Sequence, residues 1–270
     1  MTVPVFEWGA RTYVMGIINV TPDSFSGDGL LQGEARIEAA VKQAEAMLAA
    51  GAHILDIGGE STRPGGSPVD LDDELERVVP VVTALSRRVQ APISIDTYKA
   101  EVARQALAAG ATMVNDVWGL RMDPAMGSVV AASGAYVVLM HNRSKPRDAV
   151  QEARLGGRYV GVNYVDLIGD VMTELRESIA LAKAAGIDDA RIILDPGIGF
   201  GKTVAQNFSL LARQQALCAI GYPVLAGWSR KSSLAAATST SLSTLATMDV
   251  QARMVPSVAA ALLSVERGAR

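Results

Sequence analysis

Ile93-Ser94-Ile95-Asp96 and Ile192-Ile193-Leu194-Asp195 are the stretches on which the reading of this chain turns. Each is a strand-sized apolar run that stops at a carboxylate. The pattern recurs outward from them: Met15-Gly16-Ile17-Ile18 before Asn19, Ile54-Leu55 before Asp56, and Met113-Val114 before Asn115-Asp116. Val137-Val138-Leu139-Met140 leads to His141, and Val224-Leu225-Ala226 leads to Ser229-Arg230-Lys231. Between the runs lie helical patterns at 34–50, 70–90, 99–109, 124–133, 163–185, 203–220 and 245–267. Short buried strands alternating with amphipathic helices predict a parallel sheet covered or closed by helices. A chain of 270 residues suits one α/β domain of the TIM type, a (β/α)8 barrel, which commonly takes about 250 residues. In such a barrel every strand ends at one mouth, so Asn19, Asp56, Asp96, Asn115, Asp195 and Lys231 are expected to gather there.

Only seven such runs are present, and the chain reaches Arg270 where an eighth strand would begin. The expectation is therefore one domain over 1–270, with a hairpin over 3–14 ahead of the first strand and with the eighth strand and helix missing. Several helices should end at Gly51, Gly110, Gly134, Gly186 and Gly221, where a left-handed cap is easiest to make.

Charge and composition narrow the function. The balance of 25 basic to 28 acidic residues gives a formal charge of −3. No basic stripe with interleaved aromatics is present, so nucleic acid is not an expected partner. Cys218 is the only cysteine, which excludes an internal disulfide, and its apolar neighbours mark it as core filler. Residues 1–10 have neither a basic start nor a long apolar stretch, and no run approaches the ~18 apolar residues of a membrane span. A cytoplasmic enzyme domain without a membrane segment is expected.

The longer polar loops, 21–33, 60–68 and 142–161, all follow strands and lie on the side where barrel loops carry function. Asn19-Val20-Thr21-Pro22-Asp23-Ser24-Phe25-Ser26 contains an ordinary turn signal. In Gly58-Gly59-Glu60-Ser61-Thr62-Arg63-Pro64-Gly65-Gly66 the paired glycines allow a ligand close to the backbone. Arg63 suits a phosphate or carboxylate there, although a surface loop would read the same way. Asp195-Pro196-Gly197-Ile198-Gly199-Phe200-Gly201-Lys202-Thr203 ends like a phosphate-binding loop. Pro196 stands where that motif needs glycine, so no nucleotide triphosphate site is expected. The glycines instead suit a flat ligand beyond Asp195.

A strand-end carboxylate can merely cap the next helix. Several at one mouth together with Lys231 point to a ligand, because buried charge is costly unless paired or used. Carboxylate and amide side chains suit a heterocycle with N–H donors and ring acceptors, and the lysine suits its carbonyl. His53 opens its strand and reads as structural. His141 lacks metal-ligand spacing, and Met140 beside it reads as a pocket wall.

The ordered set Met15 to Ser26, Asp56 to Gly65, Ser94-Ile95-Asp96-Thr97, Asn115-Asp116, Leu194-Asp195-Pro196-Gly197 and Ser229-Arg230-Lys231-Ser232 closely resembles the dihydropteroate synthase family. That family joins 6-hydroxymethyl-7,8-dihydropterin pyrophosphate to 4-aminobenzoate and releases pyrophosphate. The resemblance implies that Asp96, Asn115, Asp195 and Lys231 hold the pterin, with Met140 and Phe200 as further substrate contacts. It implies Asn19 for the diphosphate and its Mg2+ ion. Asp23 and Phe25 on the first loop, and Thr62 and Arg63 on the second, would close over the reacting centre. Asp23, Arg63 and Lys231 are the catalytic candidates. Ser229, Arg230 and the helix start after them would receive the aminobenzoate carboxylate. The family's last strand supplies an Arg-x-His pair that this chain ends before, and its members are often homodimers through C-terminal helices. Two other readings stay open: a pterin-binding homologue without catalysis, and a methyltransferase domain passing a methyl group from a reduced folate to a corrinoid. The Ser61-Thr62-Arg63-Pro64 and Ser229-Arg230-Lys231 stretches argue against the last.

Overall fold

The computed structural model describes residues 4–21, 33–60, 69–143, 150–152, 158–160, 163–238 and 251–270. Two compact units are present, one of Met1–Leu139 with Ile179–Ile192, the other of Met140–Ser178 with Ile193–Arg270.

In the first unit, β1 (Met15–Asn19), β2 (Ile54–Gly58), β3 (Ile93–Asp96), β4 (Met113–Asp116) and β5 (Tyr136–Met140) pair in parallel in chain order. Strands β2 and β5 are buried along their whole length, the mark of a parallel strand covered on both faces. Helices α1 (Gly33–Ala49), α2 (Leu71–Arg88), α3 (Ala100–Ala109) and α4 (Met126–Ser133) follow the first four strands. Val78, Val81, Val82 and Leu85 of α2 are fully buried at helical spacing. Acids in its first turn and Arg87 and Arg88 in its last complement the helix dipole. The left-handed glycines expected at helix ends are found: α3 and α4 end on Gly110 (φ 120°) and Gly134 (φ 67°), and Gly51, Gly186 and Gly221 also have positive φ.

Residues 4–14 contain a turn at Gly9 and Ala10 bracketed by a single bridge between Trp8 and Arg11. Phe6 stacks on Trp8 and meets Tyr13 and Tyr136 edge-on, with centroids 4.8–5.0 Å apart, so this segment seals the N-terminal end of β5. His53 accepts from the Val14 N–H at 3.0 Å and touches Tyr13, the structural role its place at the start of β2 implies.

In the second unit, β8 (Ile192–Asp195) meets the seventh apolar run through one parallel bridge, Leu194 to Val224. The run is thus a short contact, made by Leu194 N–H to Pro223 O and Leu225 N–H to Leu194 O. On its other side Val224 O accepts from the Arg270 N–H at 3.1 Å. The helical pattern at 203–220 is broken at Arg213 into α6 (Val204–Ala212), opened by a Thr203–Gln206 capping box, and α7 (Gln214–Cys218). The pattern at 245–267 is described as α9 (Met254–Glu266). The helix start expected after Ser229 and Arg230 is α8 (Ser232–Thr238), whereas an antiparallel pair, β6 (Val150–Glu152) with β7 (Arg158–Val160), inside the expected polar loop was not anticipated. The remaining helix is α5 (Leu167–Ala184). Among the described residues, no helix is long and apolar enough to cross a membrane.

Candidate active site

Strand register creates the first cluster. Asn19 pairs with Gly58, Gly58 with Asp96, and Asp96 with Asn115, so these residues form one row across β1 to β4 and face the same way. Glycine in this row matters: a Cβ at Gly58 would stand 3.5 Å from Asp96 Oδ2 and 3.7 Å from Asn19 Oδ1. The bare position lies between two side-chain oxygens at the strand ends, so a side chain there would stand against both. Two residues before Gly58, Asp56 accepts from Asn115 Nδ2 at 3.0 Å. Burial raises the Asp56 carboxyl above its ordinary range, against the neighbouring Ser94 hydroxyl and the Asn115 hydrogen bond, which lower it.

Asp116 turns out to be structural. It accepts from the Trp118 and Leu120 N–H groups at 2.9 and 2.8 Å and so closes the turn after β4. Burial lifts it to about 6 despite those bonds.

Asp23, Phe25, Thr62 and Arg63 lie outside the described residues. The described flanks of the second loop are held firmly. Lys99 Nζ donates to Glu60 Oε2 at 2.6 Å, to Val69 O at 2.7 Å and to Glu74 Oε2 at 2.5 Å. Glu74 is 1% exposed, so removing Lys99 would strand a buried carboxylate, a loss of about 3–5 kcal/mol for such pairs.

The second unit holds the other candidates. Asp195 ends β8 with its carbonyl accepting from His141 N–H at 2.8 Å and its Oδ1 from Gly197 N–H at 2.7 Å. Burial raises its carboxyl, and the Gly197 N–H and the charges of Lys231 and Lys202 oppose the rise. Lys231 lies against the Gly197–Gly201 loop: a Cβ at Gly199 would be 3.1 Å from its Cδ, and its Nζ sits 4.2 Å from the centre of the Phe200 ring. That is a cation–π contact, and it ties two predicted residues together. Met140 is buried at the end of β5. Ser229 and Arg230 are exposed, and Arg230 adopts φ 53°, unusual for a side-chain-bearing residue. The backbone donors expected to receive a carboxylate are partly spent, since Arg230 N–H donates to Ser257 Oγ at 2.9 Å and Lys231 N–H to Trp228 O at 3.3 Å.

Sequence reasoning missed Lys202, His141 and Glu174 as a set. Lys202 is buried, and its Nζ lies 3.0 Å from His141 Nδ1, from Gly197 O and from Phe200 O. His141 Nε2 meets Glu174 Oε2 at 3.1 Å, and Glu174 also receives Arg143 at 2.6 Å. Burial raises the Glu174 carboxyl, but bonds from His141 and Arg143 outweigh it and hold the group at about 2. The one signal in the sequence was a lone lysine closing a glycine-rich loop that could not be a phosphate site.

A family profile described as pterin binding enzyme matches residues 15–270. The chain is 47% identical over 228 residues to the dihydropteroate synthase of Synechocystis, covering 84% of this chain and 75% of that protein. It superposes on a dihydropteroate synthase from Clostridium difficile, solved in the presence of pteroic acid, with a TM-score of 0.86, 42% identity and coverage of 98% and 91%. The enzyme from Xanthomonas albilineans in complex with 7,8-dihydropteroate gives 0.80 at 42% identity, covering 96% and 86%. The chain belongs to the pterin-binding enzyme family, and its fold class is the expected TIM-type β/α barrel class. Within that family, the relatives named here are dihydropteroate synthases.

Proposed function

We propose that this chain is a transferase that joins 6-hydroxymethyl-7,8-dihydropterin pyrophosphate to 4-aminobenzoate, giving 7,8-dihydropteroate and pyrophosphate. The observation that carries this reading is the register row of Asn19, Asp96 and Asn115 on either side of the bare Gly58, which sets acceptors and an amide side by side at the strand ends, the groups a flat heterocycle with N–H donors and ring acceptors requires. Asp96, Asn115 and Asp195 are assigned to the N–H edge and ring nitrogens, and Lys231 to the ring carbonyl. Met140 and Phe200 wall the ring. Ser229 and Arg230 take the aminobenzoate carboxylate through their side chains.

The reaction breaks the bond between the pterin methylene and the diphosphate oxygen and forms one to the arylamine nitrogen, which then loses a proton. The electron-rich pterin stabilises the cation-like carbon, so the chain needs no covalent nucleophile. Its work is to position the amine and exclude water. Arg63 and Thr62 on the second loop, with Asp23 and Phe25 on the first, are assigned to the reacting centre. Arg63 has the planar fork that suits diphosphate oxygens.

Magnesium fits the donor set. Among the described residues, no group of three His, Cys, Asp or Glu side chains could hold a metal. Mg2+ does not need one, because it is commonly bound through one or two protein oxygens together with substrate phosphates. Asn19, whose Oδ1 lies beside Gly58 at the strand end, would supply such an oxygen. When bound, the ion neutralises charge on the leaving diphosphate.

Pyrophosphate release should require both substrates together, with none from either alone. Tight pterin binding without arylamine-dependent release would favour a non-catalytic homologue. Methyl transfer from a reduced folate in place of release would favour the corrinoid-linked alternative.

We also assign the partner of α9 as a second copy of this chain. Met254, Val255, Val258 and Leu262 are 50–78% exposed and recur at helical spacing, giving a wide apolar stripe on an element that is otherwise well formed. Sedimentation should give a dimer for the wild type and a monomer for Val258→Asp. A wild type that sediments as a monomer at micromolar concentration would remove this assignment.

A further inference from the structure

Lys202 is a buried cation to which the catalytic reading gives no task. It closes the glycine-rich loop after β8 but is turned inward, 2% exposed. Its Nζ donates to Gly197 O and Phe200 O at 3.0 Å, approaches His141 O at 3.4 Å, and lies 3.0 Å from His141 Nδ1. The same two residues it grips also hold Asp195: Gly197 N–H donates to the carboxylate, and His141 N–H to the Asp195 carbonyl. Space is tight around this junction, since a Cβ on Gly197 would come within 3.1 Å of Lys202 Nζ.

We infer that Lys202 is the positioning residue for Asp195: it locks His141 and the Gly197 turn in place and supplies the buried counter-charge that keeps Asp195 an ionised acceptor for the pterin. This rests on the assignment of Asp195 to the pterin.

The chemistry of the contact sets the protonation pattern. An ammonium can only donate, so His141 accepts at Nδ1, carries its proton on Nε2 and donates that proton to Glu174. His141 is therefore neutral while Lys202 is charged. Burial lowers the Lys202 ammonium to about 7, with Lys231 and Arg143 adding to the fall and Asp195 and Glu174 opposing it. Asp195 faces two cations, Lys231 and Lys202, and both hold its carboxyl down against burial. Losing one of them must raise the pH at which Asp195 takes up a proton. The Asp195 carboxylate is the acceptor form, so the acid limb of pterin binding should move upward with it.

The test is the affinity for 6-hydroxymethylpterin as a function of pH, by calorimetry on the full chain. Lys202→Met should shift the acid midpoint up by about one pH unit or more, the scale on which a nearby opposite charge acts on a carboxylate. Lys202→Arg, which keeps the charge, should keep the midpoint close to the wild-type value. Lys202→Gln, which keeps donors to the carbonyls without charge, should behave as methionine does. Binding that weakens equally at every pH, with the midpoint unmoved, would overturn the inference and leave Lys202 a structural pin. A second arm needs no variant: in the wild type, a 13C-labelled Asp195 carboxyl should show an additional inflection at the pH where Lys202 loses its proton. A single inflection would also overturn the inference. A wild type with no pterin affinity at any pH would instead sink the functional assignment itself.

Discussion

Replacing Asp195 with alanine should lower pterin affinity by about ten- to a hundred-fold, the effect of removing a charge-assisted hydrogen bond in a buried site, ~1.5–3 kcal/mol. The carboxylate is 7% exposed and ends β8. Its Oδ1 is engaged by the Gly197 N–H at 2.7 Å, which restricts the rotamer, and Oδ2 is the oxygen we assign to the pterin. A group placed this way is pre-ordered, so little of its binding free energy is lost to restricting the side chain. Asn at the same position keeps the shape and removes the charge. It should lose less than alanine and still bind more weakly than the wild type. Calorimetric titration decides the matter, with a melting curve on each variant to establish that the Gly197 turn survives. A folded Asp195→Ala variant with wild-type affinity would take Asp195 out of the site.

Gly197→Ala should be severely destabilising. Gly197 has φ 71°, and a Cβ there would fall 1.9 Å from the His141 carbonyl oxygen. The left-handed backbone alone costs an alanine about 1–2 kcal/mol. The overlap cannot be relieved by turning a side chain, because the obstacle is backbone. That backbone is fixed in turn, His141 N–H donating to Asp195 O and His141 O facing Lys202. A loss of about 4 kcal/mol or more is expected, at the far end of what point substitutions do. Gly9→Ala is the matched control, with φ 95° and nothing within 4 Å of the added carbon, so only the backbone cost should appear. Denaturant unfolding of the two variants separates strain from overlap. Equal destabilisation in both would mean that the close approach to His141 is not a constraint.

Much of this architecture is written locally. Strands β1 to β5 and β8 were legible because four or five residues carry the whole signal, an apolar run closed by a polar residue. The helix ends were legible because Gly110 and Gly134 meet a demand of the backbone at that point alone. The β6–β7 pair was missed for the opposite reason: three-residue strands are too short for periodicity to show, and their pairing is not a property of either one. Arg213 interrupts a continuous helical pattern with no breaker residue, so local propensity could not place the break.

The sequence by itself determined the kind of residue available at each strand end, and with it the candidate ligands, because strand boundaries and side-chain chemistry are properties of a few consecutive residues. It also excluded a phosphate-binding loop, through the single proline at 196. Only the tertiary structure decided what each acid does. Asp96 stands in a row with Asn19 and Asn115, whereas Asp116, equally placed at a strand end, is consumed by the Trp118 and Leu120 N–H groups. It likewise decided that Lys202 is buried rather than solvated. That outcome depends on Gly197 and Phe200 carbonyls close by and on His141 far earlier in the chain. Register, and the burial of a charge, are set by partners distant in sequence, and no stretch of chain contains its own partners.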